Sequence, residues 1–269
     1  MADFCFGLNT STIRPAPLLD KIQIASEAGY DAIELWITDV EQYLGDGHPL
    51  GDVVKALDDS GLDRPSMISL RGWCDADEQR FQTAMEEARR RLDIAHKLGV
   101  RRIVASPPRG VVPLRMAVDR YGELLEMSVA RGVPASVEFL GFVDGINTLG
   151  AAWAICSGAA RPEGTVTPDI WHMFRGGTKP ETLDTIPADH ISCFHWNDAP
   201  REPPRTEQTD ADRIHCGTGI LDLKAVADQL RKKPWHGCLS LELFNPSYWK
   251  QDPLEVAKTG LAMMKRSVA

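Results

Sequence analysis

The chain has 269 residues, 43% hydrophobic and 25% charged, with a formal net charge of -8. A length of this order fits one (β/α)8 TIM barrel as a single α/β domain over residues 1–269, and the composition excludes a disordered chain. The acidic balance disfavours a nucleic-acid partner, because neutralising phosphates requires a basic face; the one basic run, Arg89, Arg90 and Arg91, reads as a solvated helix face.

The N-terminal MADFCFGLNT has no basic segment followed by an apolar one, so no export signal is expected. No run reaches the roughly 18 apolar residues of a membrane span. The six cysteines (Cys5, Cys74, Cys156, Cys193, Cys216 and Cys238) show no CxxC spacing, and three lie in apolar strand-like runs. They read as reduced core residues of a cytoplasmic protein.

In chain order, strands are expected at FCFGLN (4–9), AIELW (32–36), PSMISL (65–70), RIVAS (102–106), ASVEFL (135–140), TVTPDI (165–170), ISCFHW (191–196) and CLSLEL (238–243). Amphipathic segments separate them, the alternation of a parallel sheet with crossover helices. Gly29 and Gly99, each just before the next strand, read as helix stops in the left-handed conformation. One connection stands out as long, Asn197 to about Gly219, rich in Pro and charge, the length of a lid or binding loop. No GxGxxG follows the first strand, so a dinucleotide fold has little support.

In a parallel barrel the active site forms at the C-terminal ends of the strands, so polar residues in the last turn of each run are the ones to collect. Glu138, Asp169, His195 and Glu242 occupy those places in strands five to eight. Three carboxylates and an imidazole suit one divalent cation, Mn²⁺ first, with Mg²⁺, Co²⁺ or Zn²⁺ also accommodated. A single such residue could equally be a buried, salt-bridged side chain; four in consecutive strand ends point to a metal.

The stretches LNTSTIRP, EFLGFVDGINT, DIWHMFRGG, FHWNDAP, DRIHCGTGILDL and LELFNPSYWK resemble the xylose isomerase-like TIM-barrel superfamily of sugar isomerases and epimerases, and within it the inosose (2-keto-myo-inositol) isomerase branch. That resemblance implies that Glu138, Asp169, His195 and Glu242 bind the metal, that Glu138 and Glu242 are acid and base, and that His172 contacts substrate oxygens. Arg201, six residues after His195, and Asp144, six after Glu138, stand where ketose 3-epimerases carry substrate-binding groups. Either would serve as well as a surface loop charge. Arg213 is expected to contact substrate or brace the loop. His215 and Cys216 depart from the P.G.G pattern of many relatives, which leaves substrate identity open.

Trp36, Trp73, Trp171, Trp196 and Trp249 fall at or after strand ends and are expected either to wall the mouth or to cap the core. The implied activity is isomerisation or epimerisation of a keto-sugar or keto-cyclitol through a cis-enediolate. The alternative is a lyase or hydratase acting on 3-keto-glycosides or inososes by β-elimination, with His215 or His172 as the added acid. A multi-zinc DNA-repair enzyme of the same fold would need many histidines, and His48, His96, His190 and His236 lie outside the strand-end set. A binding role without catalysis is the last alternative. Homo-oligomerisation is left open.

Overall fold

The computed structural model describes residues 4–269. Its contacts separate two compact units, one running up to Pro65 together with Cys193–Ala269, the other Ser66–Ser192.

The first unit carries β1 (Cys5–Asn9), α1 (Leu18–Ala28), β2 (Ala32–Trp36), α2 (Ile37–Gly45), α3 (Leu50–Ser60), and later β7 (Phe194–Trp196), α8 (Leu223–Lys232), β8 (Cys238–Leu241) and α9 (Pro253–Ser267). Its strands pair in parallel in the order β2-β1-β8-β7, with Gly7 opposite Ala32, Cys5 opposite Cys238 and His195 opposite Ser240. Side chains alternate across a strand with period two. Asn9, Glu34, His195, Ser240 and Glu242 therefore share one face, where they hydrogen-bond to one another. Leu241 faces the other way, toward Gly260 of α9.

The second unit carries β3 (Met67–Ile68), α4 (Glu78–Lys97), β4 (Ile103–Ala105), α5 (Leu114–Val129), β5 (Ala135–Glu138), α6 (Leu149–Gly158), β6 (Thr165–Thr167) and α7 (Ile170–Gly176). Here β4, β5 and β6 are parallel neighbours, and Leu70 bridges to Ala105 beyond β3. One face is polar: Ser136, Thr167 and Ser192 hydroxyls hydrogen-bond at 2.8–3.0 Å. In α4, Phe81, Met85, Ala88, Leu92 and Ala95 recur every three to four residues and are buried, each large one contributing roughly 1.5–3 kcal/mol. Asp77 caps the helix start by accepting from the Arg80 amide, and His96 and Lys97 face the negative end of its dipole.

All eight expected strands form among the described residues, with α1 stopping at Gly29 (φ 87°) and the turn after α4 at Gly99 (φ 70°). Several strands are shorter than their apolar runs. The expected 65–70 run contracts to Met67–Ile68 because Ser69 leaves the ladder, which resumes where the Leu70 amide donates to Val104. Nor is 197–219 the only long connection: residues 69–77, 106–113, 139–148 and 242–252 also link a strand to its following helix. All six cysteines are free thiols. Among the described residues, no helix is long and apolar enough to cross a membrane.

Candidate metal centre

In the first unit, His195 is the middle residue of β7 and fully buried. Its Nε2 lies 3.3 Å from Oε1 of Glu34 and its Nδ1 lies 3.2 Å from Oε2 of Glu242. Burial alone would raise the Glu34 carboxyl, but the His195 charge and hydrogen bonds from His195, Asn9 and Ser240 outweigh it, so Glu34 sits below its ordinary range and stays ionised. An ionised Glu34 faces Nε2, and a carboxylate oxygen of Glu242 faces Nδ1 on the other side of the ring. A ring nitrogen lone pair and a carboxylate oxygen repel unless a cation or proton lies between them. Donors about 2.1 Å from an octahedral ion are spaced about 3 Å apart, so the 3.2 Å separation fits a shared metal.

Glu242 follows the last residue of β8 and is 3% exposed. Its Oε1 accepts from Asn9 Nδ2 at 3.2 Å and its Oε2 from Arg213 Nη1 at 3.0 Å. Arg213 is 1% exposed, is also held by Asp210 at 2.7 Å, and lies 5.3 Å from the centre of the Phe244 ring. Arg213, expected to contact substrate or brace the loop, donates to Glu242 and stabilises its carboxylate.

In the second unit, Glu138 closes β5 and accepts from Ser106 Oγ at 3.0 Å. Asp169 lies two residues beyond β6 rather than in it, and caps α7 by accepting from the His172 amide at 2.8 Å. Proline at 168 withholds a ladder donor, which ends the strand there. The His172 Nδ1 accepts the Gly141 amide at 3.2 Å, so the neutral ring carries its proton on Nε2. That ring lies among Phe139, Phe142 and Trp171. Only glycine fits at 141, where a Cβ would stand 2.6 Å from the His172 carbonyl oxygen. Glu138 and Asp169 are buried, as His195 and Glu242 are in the first unit.

The remaining expected contacts are distributed differently. Arg201 and Asp144 are exposed. His215 lies away from the carboxylates: its ring packs on Tyr248 and against Gly260 of α9, on the side of β8 that Leu241 faces, and burial pushes its pKa down to about 4. Trp73, Trp171 and Trp196 are core residues, and Trp196 turns outward to donate to Ser267 of α9. Trp36 and Trp249 are half-buried, donate to Asn9 and to the Ser11 carbonyl, and both have the Arg14 guanidinium within 6 Å of their rings.

The connection 197–219 is tied down. Asp198 and Ile214 form an antiparallel bridge, and the Asp198 carboxylate accepts the amides of Ala199, Gly217, Gly219 and Leu221. Position 219 must be glycine, since a Cβ would reach 2.2 Å from the Ala199 carbonyl oxygen. Sequence reading overlooked Glu34, Asn9 and Asp198. A lone carboxylate inside the apolar run AIELW is the signal that would have found Glu34.

Comparison with known proteins extends the picture. The chain is 26% identical over 263 residues to an inosose isomerase of Bacillus velezensis, covering 95% of this chain and 93% of that one. It is also 26% identical over 237 residues to a 3-dehydroshikimate dehydratase of Pseudomonas aeruginosa, covering 86% of this chain but 37% of that longer protein. A crystal structure of an IolI protein with a bound zinc atom superposes with a TM-score of 0.92 at 24% identity, covering 98% of each chain. Residues 22–267 match the model of the xylose isomerase-like TIM barrel family, to which this chain belongs.

Proposed function

We propose that the chain is a divalent-metal-dependent isomerase or epimerase of a keto-cyclitol or keto-sugar, with an inosose as the first substrate to try. The observation that carries the reading is the buried His195 Nδ1 facing a Glu242 oxygen at 3.2 Å, the spacing of two donors to one cation. Kinship with inosose isomerases over nearly the whole chain supports the substrate class. The donor set, rich in hard oxygens, favours Mn²⁺, with Mg²⁺, Co²⁺ and Zn²⁺ as further occupants. The acidic charge and free thiols fit a cytoplasmic enzyme that acts on small molecules and does not bind nucleic acid.

A cation held by Glu138, Asp169, His195 and Glu242 supplies Lewis-acid polarisation of a substrate carbonyl and its neighbouring hydroxyl. Glu138 removes the proton from the carbon between them, and a carboxyl group returns it to the adjacent carbon (isomerisation) or to the opposite face of the same carbon (epimerisation). Of the two glutamates, Glu138 is the better proton carrier, because Asn9 and Arg213 hydrogen bonds stabilise Glu242 as an anion. The Nε2–H of His172 is a donor for a substrate oxygen. Arg201 and Asp144 are exposed loop charges that would act only at the substrate's outer end.

The test is deuterium exchange. Metal-stripped protein, reloaded with Mn²⁺ and mixed with 2-keto-myo-inositol in D₂O, should place deuterium on the carbon next to the carbonyl, and Glu138→Gln should slow this by about 10²–10⁴-fold. If no inosose or ketohexose exchanges under Mn²⁺, Mg²⁺, Co²⁺ or Zn²⁺, the reading fails.

A second reading, β-elimination, is favoured by the likeness to 3-dehydroshikimate dehydratases and by a neutral His172 able to protonate a leaving oxygen. Loss of water or release of an aglycone, seen by mass spectrometry, would select it over isomerisation.

A further inference from the structure

The strand alternation that gathers Asn9, Glu34, His195 and Glu242 on one face has a second product at the other end of the same strands. Two residues back from His195, four back from Glu242 and four back from Asn9 stand Cys193, Cys238 and Cys5. Cys5 and Cys238 are register partners on β1 and β8. On the next strand Phe194 pairs with Leu239, so Cys193 falls beside Cys238 on its other side. The three thiols and Ala32 form one buried cluster, which Cys5 enters from a half-exposed position.

Cys238 is the shared member of the row. The Cys193 thiol donates to the Cys238 carbonyl at 3.4 Å, and the Cys238 thiol to the Leu239 carbonyl at 3.7 Å. A Cβ on Gly7 would come within 2.7 Å of the Cys238 sulfur, so glycine at that place in β1 leaves the room this thiol occupies.

Parallel neighbours lie about 4.8 Å apart with their side chains pointing the same way. A relaxed disulfide wants Cβ atoms about 3.5–4.5 Å apart, so side-by-side cysteines in this setting span an ion more readily than they form an S–S bond. We propose that Cys238, together with Cys5 or Cys193, is a second cation site, for a soft monovalent ion such as Cu⁺. Thiolate sulfur selects soft ions, whereas carboxylate oxygen favours hard ones. Binding forms two S–Cu bonds, releases two thiol protons to water and changes no oxidation state. Cys238 stands four positions before Glu242, about 13 Å along the chain, so both ions can be held at once.

The test uses the full chain under anaerobic, reducing conditions, with Cu⁺ supplied as its bicinchoninate complex. The wild type should withdraw one equivalent and bleach the complex in proportion. Cys238→Ser should weaken uptake at least tenfold. Because that change lies in the core, a Cys5→Ser/Cys193→Ser double variant, which keeps Cys238, provides the second reading and should weaken it likewise. Asp169→Asn should leave uptake unchanged, as should replacing Cys74, Cys156 and Cys216 together by Ser. The proposal is overturned if the wild type withdraws no copper, if both row variants withdraw as much as the wild type, or if uptake follows the other three cysteines or Asp169.

Discussion

The two pairs of proposed ligands are supported by different physics. His195 and Glu242 belong to a run of charge, in which Glu34 fixes the imidazole on one side and Arg213 fixes the carboxylate on the other, with Asp210 behind the guanidinium. The hydrogen bonds seen at Glu138 and Asp169 include those from the Ser106 hydroxyl and from the amide at the start of α7. An ionic run inside a low-dielectric interior is costly to break at any one point, because the partner left behind is a buried charge. A neutral hydrogen bond is worth about 1 kcal/mol net. The first pair is thereby locked in charge and orientation.

Arg213→Met breaks the contrast most severely. It strands Glu242 and should lower stability by about 3–5 kcal/mol, read as a drop in the urea midpoint with the slope unchanged.

The next effect separates His215 from the metal centre. Its folded pKa of about 4 lies below the ordinary value of 6.5. The unfolded chain therefore takes up a proton first, and the contribution of this residue is full above pH 6.5 and is lost as the pH falls toward 4. A shift of that size corresponds to roughly 3 kcal/mol. His215→Phe should flatten this part of the stability profile; an unaltered profile would show that the ring titrates normally.

Glu34→Gln tests the buttress directly. Groups that orient a metal-bound imidazole contribute 10–100-fold in metal affinity, so the Mn²⁺ dissociation constant, measured calorimetrically, should rise by that factor. Ser106→Ala, the matching change beside Glu138, should cost about 1 kcal/mol, visible as a fall of several-fold in turnover with metal affinity kept. Equal effects of Glu34→Gln and Ser106→Ala on metal affinity would erase the distinction between the two pairs.

Much of this was legible in the chain. AIELW became β2 residue for residue, and Gly29 ends α1 as its position before that strand required. Glu138, Asp169, His195 and Glu242 could be picked out because a charged side chain at the end of an apolar run demands a partner. The same rule points to Glu34, yet this residue stands third of five in its strand, and collecting only the last turn of each run passed over it. The tryptophans show the opposite failure: proximity to strand ends located Trp73, Trp171 and Trp196 in the chain but not the direction of their rings, which are buried.

Local periodicity and the cost of burying charge set the order of strands and helices, the parallel topology and the types of ligand, and all of these can be read along the chain. Which partner each polar group takes depends on how distant segments pack. His215 lies against α9, Arg213 reaches back to Glu242, and Asp198 gathers four amides from residues 199–221. Such pairings join residues from about 20 to more than 40 positions apart, or turn on a single rotation about a side-chain bond, and no local pattern in the chain encodes them.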